Sequence, residues 1–551
     1  MDQPSGDPLG AIYVHTANVN NAMAMTIFGI YLHAVFVSFT LGFPLAISAW
    51  LIKWYRTMDK IYLEYAKRLT AVWLVNFALG VVTGTIVEFG LLDIWPASIL
   101  LFSSAAFVPL FWEATIAFIG EAVLVGLFVV AIGRRRARYT LSILLAAWAL
   151  GSLSGYFILA TNAWMNVPWG AGGVPKALYP FLPSYGPDAV NLTSTLTLAA
   201  LLINHTLAGA GSSALASINF TSSMGSFFAD VWLPLSNPDA ISTTIHTLLA
   251  AYAIGVGVVA LALSIRYLKT RDKKYLDLLR PLLWVLVVVL IAQPISGHFM
   301  GDDVVKYQPL KFTAMVALTG GPAVYGYSFN DPIEALFAYG NPGHPIYGFQ
   351  YYLQQCDKLG NTTFGQLYSQ LDPSASPYLG PLADVPLADN CKAAVESLEP
   401  LAPLISGMYY TMVASGILLA IAALLMLFTY LVRIPVLSPL ADFINYRVLG
   451  AIVGRDNVLP FLAIATAVLS AVAASAGWAV REIGRQPWTV YGLITTNEVV
   501  TSVEITPGFA AFVIAVLAAI AALGVAAMYY TATRPGLIDK LKIMRAEEGH
   551  E

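Results

Sequence analysis

Chemistry in this chain should reside in the few polar or metal-ligating side chains set inside long apolar runs, because burying such groups in a membrane is costly. His33 lies in IYLHAVFVSFTLG, His246 in TTIHTLLAAYAIG and Met412 in YYTMVASG. Imidazole and thioether from separate helices form the axial pair of a low-spin haem b or c. Taken singly, each histidine is equally open to a helix–helix hydrogen-bonding role, and the methionine to ordinary packing. No Cys-x-x-Cys-His string exists for covalent attachment, so non-covalent haem b is the form the trio fits. Glu113 and Glu121 share FWEATIAFIGEAVLVGLF. On a regular α-helix they would stand about 12 Å apart along the axis and about 80° apart around it. Both could line one buried proton relay, or serve only as hydrogen-bond partners of neighbouring helices. A last cluster, Arg481, Glu482 and Arg485, lies in GWAVREIGRQPWTVYG (477–492), with Trp478 one turn before the glutamate. By composition alone that cluster is also a plain interfacial anchor, since Trp and Arg favour the headgroup zone.

The elements that must position these residues are membrane helices. With 58% hydrophobic and 11% charged residues over 551 positions, and a mean hydropathy of +0.70, the chain is too apolar for a soluble multidomain protein. A net charge of −3 and the absence of a phosphate-cradling glycine loop set aside nucleic-acid and nucleotide functions. Apolar runs long enough to span a bilayer occur at 23–52, 69–92, 98–132, 140–165, 241–265, 281–297, 403–432, 456–480 and 505–532. The expected fold is an all-α, polytopic bundle of nine membrane helices, forming a single membrane domain over 1–551 with large extracytoplasmic loops. Most of the 29 Lys and Arg fall in alternate connections, at 53–68, 133–139, 266–280, 433–455 and after 532. That bias puts the N-terminus outside and the C-terminus in the cytoplasm of a plasma-membrane protein.

Two long segments, 166–240 and 298–402, then fall outside. Cys356 and Cys391 both lie in the second, where a disulfide between them is expected. Asn191, Asn204, Asn219 and Asn361 open Asn-x-Thr triplets on that side, a weak signal for glycosylation. Arg134, Arg135, Arg136 and Arg138 form a cytoplasmic anchor, with lipid headgroups as a second reading. Met1 to Ala22 lacks the basic and apolar parts of a cleavable leader.

The string GRQPW, with Glu482 and Trp478 upstream, resembles the signature of subunit I of cytochrome bd-type quinol oxidases, and the other strings follow in that family's order over the whole chain. The resemblance implies that His33 serves the high-spin haem pair and that GVVTGTIVEFG (80–90) is the second-helix motif, altered downstream. It makes Glu113 and Glu121 the paired glutamates of the third helix and Asn162 the asparagine of the fourth. His246 and Met412 become the low-spin haem ligands, Glu482 the high-spin glutamate, and Arg485 a neighbour of haem propionates. Metal ligation is thus expected from His33, His246, Met412, Glu113 and Glu482, and haem contact also from Asn162, Trp478 and Arg485.

The implied enzyme is a quinol:oxygen oxidoreductase holding a low-spin haem b, a high-spin haem b and either haem d or a further haem b. Electrons would pass from quinol to oxygen, with protons drawn from the cytoplasm through Glu113 and Glu121. A second membrane subunit, subunit II-like or a paralogue of this chain, is the implied partner, with small single-helix subunits and lipids beside it. Two departures stand out. Lys311 matches the lysine of the family's quinol loop, but Val316 occupies the glutamate position, and Tyr410 replaces an arginine two residues before Met412. Asp302, Asp303 and His298 are the expected substitutes for the missing proton acceptor. The competing functions are a haem-binding electron-transfer subunit beside a catalytic paralogue, and an ion or substrate transporter, which would need broken helices or repeats that the sequence lacks.

Overall fold

The computed structural model describes residues 16–95, 98, 107–133, 137–188, 232–233, 235–371, 383–501, 503–534 and 536–538. The triplets at Asn191, Asn204 and Asn219, the arginines 134–136 and most of the first outer segment lie outside the described residues. Among the described residues, nine helices are long and apolar enough to cross a membrane: Asn18–Thr57, Lys60–Leu91, Val108–Ala131, Arg138–Asn166, Pro238–Thr270, Lys274–Tyr307, Leu387–Leu431, Arg455–Ile483 and Pro507–Thr533. Each apolar run becomes a helix because lipid offers no partner for backbone N–H and C=O groups, which must pair within the segment.

Helix ends extend past the apolar runs where capping residues allow. Asn237 caps the fifth span by accepting from Asp239 N, with Pro238 in the first turn. Thr506 and Pro507 do the same for the ninth. A correction that bears on the site is the sixth span, expected to end at 297. Its helix runs on to Tyr307, so His298, Asp302 and Asp303 are helical rather than loop residues. In the third span, Glu113–Phe118 is a π-helical segment between the α-helices Phe107–Trp112 and Ile119–Ala131. The angle expected for a regular helix therefore does not apply to Glu113 and Glu121.

The main core joins the first eight spans and includes Trp50, Trp73, Phe128, Leu144, Leu283 and Met426. At one crossing the first and fifth spans touch through their backbones. A Cβ on Gly42 would lie 2.5 Å from Gly255 Cα, so only glycine fits there.

A second core caps the bundle. It gathers Leu182 and Tyr185, residues 304–317, the helices Phe349–Cys356 and Leu387–Leu398, and Trp488 and Tyr491. Cys356 and Cys391 are bonded within it, as expected from the sequence. Closing that 35-residue separation contributes about 3–4 kcal/mol by the chain-entropy relation. The described parts of 166–240 and 298–402 and the GRQPW turn thus form one layer over the ends of the spans.

Candidate functional site

The eighth span ends at Ile483, which leaves Arg481 and Glu482 in its last turn and Arg485 just beyond. Around them is a polar cluster drawn from five elements, with Arg481, Arg485 and Asp239 buried in it. Arg481 donates to Asn162 Oδ1 at 2.6 Å, to Thr243 Oγ1 at 2.9 Å and to Asp239 Oδ2 at 2.9 Å. Asn162 turns its amide N–H to Glu482 Oε1 at 3.0 Å, and Arg485 pairs with the other carboxylate oxygen at 2.5 Å. Asn166 donates to the Asn162 carbonyl, and Gln308 to the Asn166 carbonyl. Arg481 and Asp239 are both 4% exposed, so their charges are fully desolvated and depend on each other.

The turn after the span is rigid, and this fixes Arg485. Trp488 is fully buried, edge-on to Tyr179 at 5.0 Å and to Tyr491 at 4.8 Å. Trp488–Val490 pairs with Ile494–Thr495 in a hairpin that Gly492 closes at φ +72°. Two of the Arg485 donors, Nε and Nη1, are buried without an acceptor among the described residues. A guanidinium so placed suits a further anion, and a haem propionate carboxylate has the right charge and geometry. Trp478 sits half-buried on the same helix.

The histidines lie against small or hydroxyl-bearing neighbours. His33 Nδ1 is 3.1 Å from Thr83 Oγ1, and Gly84 lies against the ring, so the second-span string GVVTGTIVEFG is what accommodates it. His246 Nδ1 is 3.0 Å from Ser296 Oγ, Gln293 Nε2 is 3.3 Å from both ring nitrogens, and Gly297 faces the ring. Met412 packs its sulfur on Gly477 of the eighth span. Among the described residues no three His, Cys, Asp or Glu gather as a metal-ion cluster. That pattern is compatible with haem, which needs only one or two protein ligands per iron.

Both third-span carboxylates face the fourth span. Ser154 donates to Glu113 Oε1 at 2.8 Å, and the buried Glu121 carboxylate lies so close to Gly151 that a Cβ there would be 2.6 Å from Oε1.

The residues assigned to the outer loop are arranged differently from expectation. Lys311 is 2% exposed and points into the cluster, donating to the Arg481 carbonyl at 3.0 Å. Burial, reinforced by Arg481, pushes its ammonium down to about 7. Asp302 is exposed and 3.8 Å from His298, while Asp303 accepts from Ser242. Two acidic residues absent from the sequence reading enter here. Asp239 is the partner of Arg481, and Glu334 accepts from Tyr410 at 2.8 Å.

A family model described as cytochrome bd terminal oxidase subunit I matches residues 22–534. Among characterised proteins, cytochrome bd ubiquinol oxidase subunit 1 of Bacillus subtilis (strain 168) is 23% identical over 486 residues, 86% of this chain and 84% of that one. Cytochrome bd-II ubiquinol oxidase subunit 1 of Escherichia coli (strain K12) is 34% identical over 142 residues, 25% of this chain and 27% of that one. In three dimensions the chain is similar to bd oxidase from Geobacillus thermodenitrificans, with a TM-score of 0.59, 19% identity, and coverage of 96% of this chain and 98% of that one. That likeness bears on the fold.

Proposed function

Because this chain belongs to the cytochrome bd terminal oxidase subunit I family, we propose that it is the haem-bearing subunit of a membrane enzyme that oxidises quinol and reduces oxygen to water. The observation that carries the reading is the Asn162–Arg481–Glu482–Arg485 cluster, whose two arginines are buried, with two guanidinium N–H groups still open to an anion.

In this reading His246 and Met412 hold a low-spin haem b. His33, Glu113 and Glu482 serve the high-spin pair, a haem b with either haem d or a further haem b. Bound haem supplies one-electron transfer and an iron at which oxygen is reduced. Thr83 engages the Nδ1 of His33, which orients that ring and leaves Nε2 as the ligand nitrogen; Ser296 engages the Nδ1 of His246, whose Nε2 would ligate once Gln293 turns away from it. Asn162 and Arg485 fix the two oxygens of Glu482 in opposite directions. Arg485, with Arg481 behind it, balances propionate charge, and Trp478 adds an apolar contact on the same helix. Glu121 and Glu113, aligned along the fourth span, pass protons from the cytoplasmic side. Lys311, by holding the Arg481 carbonyl, keeps the end of the eighth span in register. A second membrane subunit, subunit II-like or a paralogue, completes the complex in the plasma membrane.

The test is a reduced-minus-oxidised spectrum of the purified complex together with quinol-driven oxygen uptake. Low-spin and high-spin haem bands with uptake are expected. A low-spin band alone, without uptake, would assign the chain to electron transfer, and an absence of haem bands would remove the reading.

A further inference from the structure

Glu334, in the first turn of the extramembrane helix Pro332–Tyr339, is 8% exposed, and both its carboxylate oxygens face tyrosines of the helix Ala402–Met426 within the seventh span. Tyr410 donates to Oε1 at 2.8 Å and Tyr409 to Oε2 at 3.4 Å. The Tyr410 hydroxyl also meets Thr319 Oγ1 at 2.8 Å, and Thr319 donates to the Val316 carbonyl at 3.1 Å. A carboxylate from another helix thus reaches, through two hydroxyls, the backbone of Val316, the residue at the family's loop-glutamate position. It does so through Tyr410, the residue at the family's arginine position. Thr319 has one proton for two acceptors, so its hydroxyl can turn between Tyr410 and the Val316 carbonyl.

The neighbouring charges agree. Asp331 caps the same helix by accepting from Glu334 N at 3.1 Å. Burial first, and then the Asp331 charge, raise the Glu334 carboxyl above the ordinary range, against the opposing pull of the two tyrosine hydroxyls. Leu318 and Ile333, next in sequence to Thr319 and Glu334, and Phe337 on the same helix as Glu334, are strongly exposed apolar side chains. Lys311 and Asp303, by contrast, are engaged by Arg481 and Ser242.

We infer that Glu334 accepts the protons released by quinol in this chain, with Tyr410 as its positioning residue; the inference rests on the quinol-oxidase reading above. Each quinol O–H bond breaks as its proton passes to the Glu334 carboxylate and on to outer solvent. Loss of both protons and two electrons leaves quinone, and the electrons pass on to oxygen, the oxidant of the proposed reaction.

The experiment uses the purified oxidase complex at matched haem content. Oxygen uptake with a short-chain benzoquinol is compared with uptake driven by a small one-electron donor that releases no proton. Glu334→Gln is expected to lower the ratio of the two rates about a hundredfold, and Glu334→Asp to restore part of it. In the wild type the quinol rate should rise with pH as Glu334 ionises, with its half-point above the ordinary 4.5. Tyr410→Phe should move that half-point while leaving KM little changed. If Glu334→Gln keeps the wild-type ratio, or Asp303→Asn loses it instead, the inference is overturned. If the wild type uses the one-electron donor but no quinol, it is the quinol reading that fails.

Discussion

At the scale of single residues, Lys311 is a pH-sensitive group of the capping layer. With its ammonium held down to about 7 from 10.5, the unfolded chain binds a proton the native chain lacks between those values. Stability should therefore rise with pH across that window and fall as pH drops toward 7. Thermal unfolding at a series of pH values should show this slope in the wild type and a flatter one in Lys311→Met; equal slopes would contradict the assignment. Met412 offers a steric test. A Cβ at Gly477 would stand 2.9 Å from its sulfur and must displace it. Gly477→Ala should then weaken the low-spin haem band much as Met412→Leu does, whereas Gly416→Ala, with open space around it, should leave the spectrum unchanged.

At the scale of elements, the Arg481–Asp239 pair ties the start of the fifth span to the end of the eighth. Asp239→Asn leaves a buried guanidinium short of its counter-charge and should destabilise the complex by about 3–5 kcal/mol, read as a lower melting temperature with loss of haem on heating. A melt within a degree of wild type would mean that the pair does not hold these helices together. His33, His246 and the Arg481–Arg485 cluster stood out as candidates in the sequence because polarity inside or at the edge of an apolar run needs a reason, whereas Met412 stood out only through the family resemblance. Asp239 was not, since an acid in a helix's first turn is ordinary capping chemistry. Glu334 was one acid among several in a long polar segment, and only the packing of its helix on the seventh span singles it out. The π segment at Glu113 left no mark on the apolar pattern, which reads the same for either helix type.

At the scale of the molecule, the nine apolar runs reappear as nine helices among the described residues, with ends displaced where polar turns continue the helix. The charge bias makes a further prediction. With cysteine at the exposed positions Thr57 and Asn341, an impermeant thiol reagent applied to intact cells should label Asn341→Cys and spare Thr57→Cys. The reverse pattern would invert the topology and, with it, the direction of proton uptake.

The contact between Gly42 and Gly255 has a bearing on electron flow. His33 precedes Gly42 by nine residues, and His246 precedes Gly255 by nine. The first and fifth spans run in the same direction, so both imidazoles stand at one height, about 13 Å from the crossing. Tunnelling rates fall exponentially with separation, and a rate set by compressible side chains would drift with lipid thickness or temperature. Two backbones in direct contact act instead as a rivet between the histidine-bearing rods; with the two histidines as haem ligands, as proposed, the gap between the haems would be a near-constant of the scaffold.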